Sequence, residues 1–178
     1  VIRGGVDTIL STNYLNSNNF IPPDKRIYDA CFVGRFHYQK GVLELIKIWK
    51  IVCLKNPQAH LAMIGSGPLD NEVKHLIKKL DLSKNIYLAG FLDGPKKFEI
   101  FKQSRLVLHP ATFDSGGMAA AEAMAWGLPG VSFDLKALKT YYPKGMLKTN
   151  CFDTEEFAEN IISLLFDPFK YKTMSLEA

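Results

Sequence analysis

Cysteine is scarce in this chain, and what there is does not pair. Cys31, Cys53 and Cys151 are odd in number and widely spaced, with no Cys-x-x-Cys among them, which argues against a disulfide framework. Cys31 and Cys53 fall in apolar segments, so buried, reduced thiols and a cytoplasmic setting are expected. No apolar run approaches the roughly 20 residues of a membrane span, and no signal-peptide pattern opens the chain. Excess charge is also missing. The net charge is +4, from 22 basic and 18 acidic residues, and the lysines are scattered. Pairs such as Lys78-Lys79 and Lys96-Lys97 read as solvated helix faces. No basic stripe interleaved with aromatics occurs, so nucleic acid is not an expected partner. There is no Asp-x-Asp, and the four histidines (His37, His60, His75, His109) lie far apart, so no metal site is expected. Val1 is not an initiator methionine, and the chain is expected to be a piece of something longer.

What is present is the make-up of an ordinary globular domain: 178 residues, 47% hydrophobic and 22% charged, enough for one full core but short for two. Short β-rich runs alternate with helical patterns from residue 30 onward. Residues 30–34 form a near-continuous apolar run, as in a strand buried on both faces. Residues 40–55 read as a buried helix and 60–64 as a second strand, broken by Gly65-Ser66-Gly67-Pro68. Val73, Leu76, Ile77 and Leu80 give a second helix. Residues 86–89 form a third strand, and Pro95 opens a short helix at a position that suits proline. A fourth strand over 105–109 precedes a helix over 117–126, which Gly127 and Pro129 end. Strands over 131–133 and 145–148 follow, then a helix over 154–165 with Thr154 at its start and Glu155 and Glu156 favouring the dipole. Gly130 weakens the strand propensity of its segment. Repeated strand–helix units imply right-handed crossovers and a parallel sheet. The expected fold is a doubly wound, Rossmann-like α/β domain over 1–178.

The most informative stretch runs from His109 to Val131. It sets Asp114 in a loop, Gly116 and Gly117 at a turn, and Glu122 on the following helix. A helix opening on glycines presents unpaired N–H groups and the positive end of its dipole, where a phosphate can sit. Two flanking carboxylates suit hydroxyls. Phosphates and hydroxyls together describe a nucleotide sugar. In a doubly wound sheet, ligands bind beyond the carboxyl ends of the strands, where the strand order reverses. With an order 3-2-1-4-5-6 the crevice lies between the first and fourth strands. Arg35 and Lys40 then face the glycine turn from the loop after the first strand.

These residues resemble the C-terminal, donor-binding half of group 1 glycosyltransferases (glycosyltransferase family 4, GT-B fold, retaining). The similarity covers nearly the whole chain. Gly4-Gly5-Val6-Asp7 is similar to the family's Asn-Gly-Val-Asp. The Gly34-Arg35 and Lys40-Gly41 pairs resemble the segment whose Arg and Lys grip the donor diphosphate. Gly65-Ser66-Gly67-Pro68 is similar to a Gly-Asp-Gly-Pro turn, and Gly90-Phe91 to the segment that passes the base. Asp114 through Glu122 matches the family's Glu, seven residues, Glu signature. The resemblance implies Arg35, Lys40 and Asp114 as catalytic residues, the first two on the phosphates and Asp114 on the transferred sugar. Glu122 would bind the ribose, Gly116, Gly117 and Met118 would offer backbone N–H groups, and Gly90 and Phe91 would lie by the base. Two departures stand out: Asp114 is one methylene shorter than Glu, and Gly116 replaces a usual aromatic residue.

The implied activity is metal-independent transfer of a hexosyl group, such as mannosyl or glucosyl, from a nucleotide-diphosphate sugar to an acceptor hydroxyl. No cofactor is implied beyond the donor substrate. The acceptor, a saccharide or a lipid-linked glycan of polysaccharide or glycolipid biosynthesis, would belong to an N-terminal domain absent from this chain. Peripheral contact at the inner membrane surface stays open. Other readings stand beside these. The same fold could hold a nucleotide or nucleotide sugar without catalysis. Arg35 could be a surface ion pair, Lys40 an unremarkable helix-start lysine, Glu122 a solvated helix residue and Asp114 a loop or capping acid. His109 before Pro110 reads as structural, and Tyr141-Tyr142-Pro143 as a packing turn. A dehydrogenase would need Gly-x-Gly-x-x-Gly after the first strand, and residues 34–41 lack it.

Overall fold

The computed structural model describes residues 6–114, 116–136 and 144–178. Gly4, Gly5 and the 141–143 turn lie outside the described residues. Six strands form one sheet in the order β3-β2-β1-β4-β5-β6, every neighbouring pair parallel. The strands are β1 (Tyr28–Val33), β2 (Leu61–Ile64), β3 (Ile86–Gly90), β4 (Ser104–His109), β5 (Gly130–Phe133) and β6 (Met146–Thr149). The helices are α1 (Ile9–Leu15), α2 (Val42–Lys55), α3 (Asp70–Lys79), α4 (Gly94–Lys102), α5 (Met118–Met124), α6 (Thr154–Phe166) and α7 (Pro168–Glu177). The expected strand order is therefore the observed one, and the reversal falls between β1 and β4.

Alternation along the strands divides the core. Ala30, Phe32, Leu61, Met63, Leu106, Leu108, Val131 and Phe133 face one side, where α2, α3, α6 and α7 cover them. Cys31, Ala62, Ile64 and Val107 face the other, against α4, α5, Trp126 and Tyr14 of α1. Successive residues of a strand point to opposite faces, and both sets are apolar because helices cover both faces. Register fixes the layers across the centre: Ala30 sits opposite Leu61 and Leu106, and Cys31 opposite Ala62 and Val107.

Several boundaries differ from the expected ones, each for a local reason. The second helical segment begins at Val42, because Tyr38–Lys40 form a 3-10 turn and Gly41 turns left-handed at φ 63°. The helix expected over 117–126 is Met118–Met124, followed by a turn in which Gly127 N–H donates to Met124 O at 2.8 Å. Asp153, not Thr154, caps α6: its carboxylate accepts from the Glu156 N–H at 2.9 Å. Cys31 is buried, but Cys53 is only half-buried and Cys151 exposed. Gly130 has a packing reason: a Cβ there would lie 2.6 Å from Met146 Sδ and 2.8 Å from Val107 O. A larger residue would push β6 and β4 apart. No helix of the described residues is long and apolar enough to cross a membrane.

Candidate functional site

Three loops at the carboxyl ends of β1, β2 and β4 are zipped together by their own backbones. Phe36, buried against Phe32, pins the loop after β1, and its N–H donates to Ser66 O at 3.0 Å. The Leu69 N–H returns a bond to Phe36 O at 3.1 Å. A Cβ on Gly65 would meet Gly34 O at 1.9 Å, and one on Gly67 would meet Phe36 O at 2.5 Å, so only glycine permits this approach. On the other side Gln39 O accepts from Thr112 N–H at 3.0 Å and Phe113 N–H at 3.3 Å. Gly41 packs so closely that its Cβ would lie 2.0 Å from Pro110 O.

This arrangement frames a cavity of about 590 Å³ lined by Gly34, Arg35, Ser66, Phe91, Lys97 and Glu122 among others. That is within the usual range for small-ligand sites. A second hollow of about 400 Å³ adjoins it through Ala119 and Glu122 and takes in Met118. Arg35 is exposed at the rim, and no carboxylate among the described residues pairs with it. Phe91 is 76% exposed, offering an open aromatic face. Gly90, at φ 71°, turns the chain there while its carbonyl accepts from Gly65 N–H at 2.8 Å.

Glu122 does not stand alone. Its Oε2 lies 2.9 Å from Lys97 Nζ, which also reaches Asp93 Oδ1 at 3.2 Å. The Lys97 pair is a correction to the expectation that Lys96-Lys97 is a solvated face: the Lys97 side chain is only 11% exposed. Burial alone would lower its pKa, but the bonds to Glu122 and Asp93 outweigh burial and hold it above the usual lysine value. The signal was available. Lys97, Ile100 and Phe101 stand at i, i+3 and i+4 on α4, and the latter two are core residues.

Asp114 and Lys40 form a separate cluster outside the cavity linings. Lys40 Nζ donates to Asp114 Oδ2 at 2.6 Å, and His109 Nε2 lies 3.3 Å from the same oxygen. Asp114 Oδ1 accepts from the Gly116 N–H at 3.2 Å and the Gly117 N–H at 3.0 Å. The carboxylate thus takes up amides of the glycine turn two and three residues ahead, the geometry of the loop-acid alternative. Burial would raise its pKa, but the contacts with His109, Lys40, Gly117 and Gly116 outweigh burial and hold it well below the usual carboxylate range. Nothing in the local sequence links Asp114 to Lys40, which is 74 positions away. Among the described residues no three of His, Cys, Asp and Glu gather as a metal-binding set.

Comparison with known proteins identifies the family and the fold. The sequence pattern of the glycosyl transferases group 1 family matches residues 16–178. A poly(glycerol-phosphate) alpha-glucosyltransferase of Bacillus subtilis is 26% identical over 162 residues, covering 89% of this chain and 23% of that protein. The matched segments cover between 23% and 47% of the length of such curated relatives. The C-terminal domain of a group 1 family glycosyl transferase from Francisella tularensis superposes with a TM-score of 0.76 at 19% identity, covering 97% of this chain and 94% of that one. An Anabaena protein crystallised with UDP and glucose superposes with a TM-score of 0.73 at 20% identity, over 84% of this chain and 42% of that one. The parallel six-stranded sheet with helices on both faces is that of a GT-B C-terminal domain, and the chain belongs to the group 1 glycosyltransferases.

Proposed function

We propose that this chain is the donor domain of a retaining glycosyltransferase that takes a hexosyl group from a nucleotide-diphosphate sugar. The observation that carries the reading is the pairing of chemistries in one 590 Å³ cavity. An unpaired guanidinium, Arg35, faces a carboxylate, Glu122, across a space bordered by an exposed aromatic ring, Phe91. The guanidinium suits phosphate oxygens, which it can grip with two parallel bonds. Lys97 holds Glu122 Oε2, and Oε1 can accept from ribose hydroxyls. Phe91 offers a face for the base.

Transfer breaks the bond between the anomeric carbon and the diphosphate, so positive charge grows on the sugar and negative charge on the departing phosphate. Cations fixed before the reaction stabilise the leaving group without reorganising. Arg35 does this directly, and Lys40 from the β1–β4 side of the crevice. These cations support a metal-independent departure. The acceptor, a saccharide or lipid-linked glycan, is bound by a domain other than this one, and the reaction is cytoplasmic.

Calorimetric titration with UDP, GDP and ADP, with and without magnesium, tests the reading. One nucleotide is expected to bind, unaffected by magnesium, with affinity lost by about tenfold or more in Arg35→Ala. Absence of binding by all three, or binding indifferent to Arg35, would refute it.

A further inference from the structure

Glu122 is a long side chain on α5, yet one of its oxygens is already committed. Lys97 Nζ holds Oε2 at 2.9 Å, and both side chains line the 590 Å³ cavity beside Arg35 and Phe91. The lysine is itself fixed from two sides. Ile100 and Phe101, three and four residues on, are core residues that lock the register of α4. Asp93 Oδ1 accepts from the Gly94 N–H at 2.8 Å as the cap of α4, and it lies 3.2 Å from Lys97 Nζ one turn along. Lys97 is therefore buried, whereas its neighbour Lys96 is exposed. A glutamate without such a contact gives up rotamer entropy when it takes a ligand. Here that ordering is done before any ligand arrives. An ionised carboxylate held through one oxygen keeps acceptor capacity on the other, which suits neighbouring hydroxyls.

We propose that Lys97 is the positioning residue that makes this site read ribose: it presets the Glu122 carboxylate for the ribose hydroxyls and so sets a preference for ribonucleotides over deoxyribonucleotides. Resting on the donor-domain reading above, this deepens it: recognition of the nucleotide's own sugar is built on α4 as well as on α5. Lys97 acts through Glu122 and not on the ligand. The same ammonium joins two walls of the cavity. Asp93 belongs to the loop after β3 that carries Phe91, and Glu122 to the helix after the glycine turn. Bridging them, Lys97 holds the aromatic face for the base and the carboxylate for the ribose at a set separation. Asp93 is the lesser anchor, because its exposed carboxylate is screened by water.

The test titrates each nucleoside diphosphate against its 2′-deoxy counterpart: UDP with 2′-deoxy-UDP, GDP with 2′-deoxy-GDP, ADP with 2′-deoxy-ADP. The wild type is expected to favour the ribonucleotide by about tenfold or more, the scale of a hydrogen bond to a charged group. Lys97→Met removes the ammonium and should reduce that preference to under about threefold, through weaker binding of the ribonucleotide and little change for the deoxy form. A structural role alone would weaken both ligands by the same factor and leave the preference intact. Glu122→Gln should lower the preference in the same way, and adding Lys97→Met to it should cost less than about a further twofold, because the two residues act as one unit. A wild-type preference below about threefold, or a preference undisturbed in Lys97→Met, would overturn the proposal. A ligand-free measurement stands beside these. Under reductive methylation read by mass spectrometry, Lys97 should react more slowly than Lys96 in the wild type and faster in Glu122→Gln. Equal rates for the two lysines in the wild type would overturn it as well. A wild type that binds no diphosphate refutes the donor reading and takes this inference with it, whereas an undisturbed preference in Lys97→Met refutes this inference alone.

Discussion

Replacing Lys97 by methionine isolates a charge that composition alone would have assigned to the surface. Methionine keeps an unbranched apolar stem and removes the ammonium that bridges Glu122 and Asp93. The Asp93 arm contributes little, since that side chain is 77% exposed and water screens it. The Glu122 arm differs: its partner is 27% exposed, the lysine is 11% exposed, and they are 2.9 Å apart. Fully buried pairs cost about 3–5 kcal/mol when one partner is removed, and exposed ones well under about 1 kcal/mol. Partial burial puts Lys97→Met at about 1–2 kcal/mol of lost stability. With a urea slope of about 2 kcal/mol/M, the midpoint should fall by about 0.5–1 M. The same variant should also weaken nucleotide binding, because Glu122 loses the contact that fixes its rotamer. In the double variant with Glu122→Gln the stability losses should add to less than their sum, by about 0.5 kcal/mol or more. A midpoint within about 0.2 M of wild type would show a solvated, dispensable pair and refute the reasoning.

Two further outcomes follow from the loops. Gly41→Ala places a methyl 2.0 Å from Pro110 O at a residue with φ 63°, so the crevice must open; a loss of about 2 kcal/mol and a thermal midpoint lower by about 5 °C are expected. An unchanged midpoint in a calorimetric scan would contradict the packing. Asp114, whose folded pKa is lowered, contributes stability that is fully present above its unfolded value of about 3.9 and is lost as pH falls through the lower folded value. The stability gap between wild type and Asp114→Asn, from urea midpoints, should therefore stay level from pH 7 to about pH 5 and narrow below about pH 4; a gap that persists unchanged to about pH 3 would count against the ionic contacts of Asp114.

Most of the framework could be read from the sequence because its signals are local. Apolar runs such as 30–34 mark strands covered on both faces, and the glycine and proline breaks between them punctuate the units. Two helices carried no such signal. In α1 the segment Ile9–Leu15 contains Ser, Thr and Asn, has no side-chain cap, and buries only Ser11 and Tyr14. Helix α7 buries only Tyr171 and Met174 and leaves Phe169 and Leu176 82% exposed, so no single apolar face emerges, though Asp167-Pro168 is a legible start. Within the site, motif and strand order point to Arg35 and Glu122, and both line the 590 Å³ cavity. Lys97 departs from the solvated face expected of Lys96-Lys97 because its helical register with Ile100 and Phe101 turns it inward. The Lys40–Asp114 contact was out of reach, since only the tertiary fold brings those two loops together.

That contact changes how the crevice must recognise a diphosphate. Had Lys40 been unpaired, two free cations and the amides of the glycine turn would all have awaited the phosphates. Instead Asp114 neutralises Lys40 and occupies the Gly116 and Gly117 amides, while Lys97 is matched by Glu122 and Asp93. Among the described residues lining the 590 Å³ cavity, Arg35 is then the cation without a carboxylate partner. An incoming diphosphate gains its first strong contact there without displacing anything. Contact with Lys40 requires it to compete with, or share, the Asp114 charge. The attraction at Arg35 is therefore uncompensated in the unliganded chain, and that at Lys40 is offset by an ion pair already made. Arg35 should carry the larger part of the diphosphate affinity, and Lys40 should act chiefly where the phosphate charge grows, as the bond to the sugar breaks.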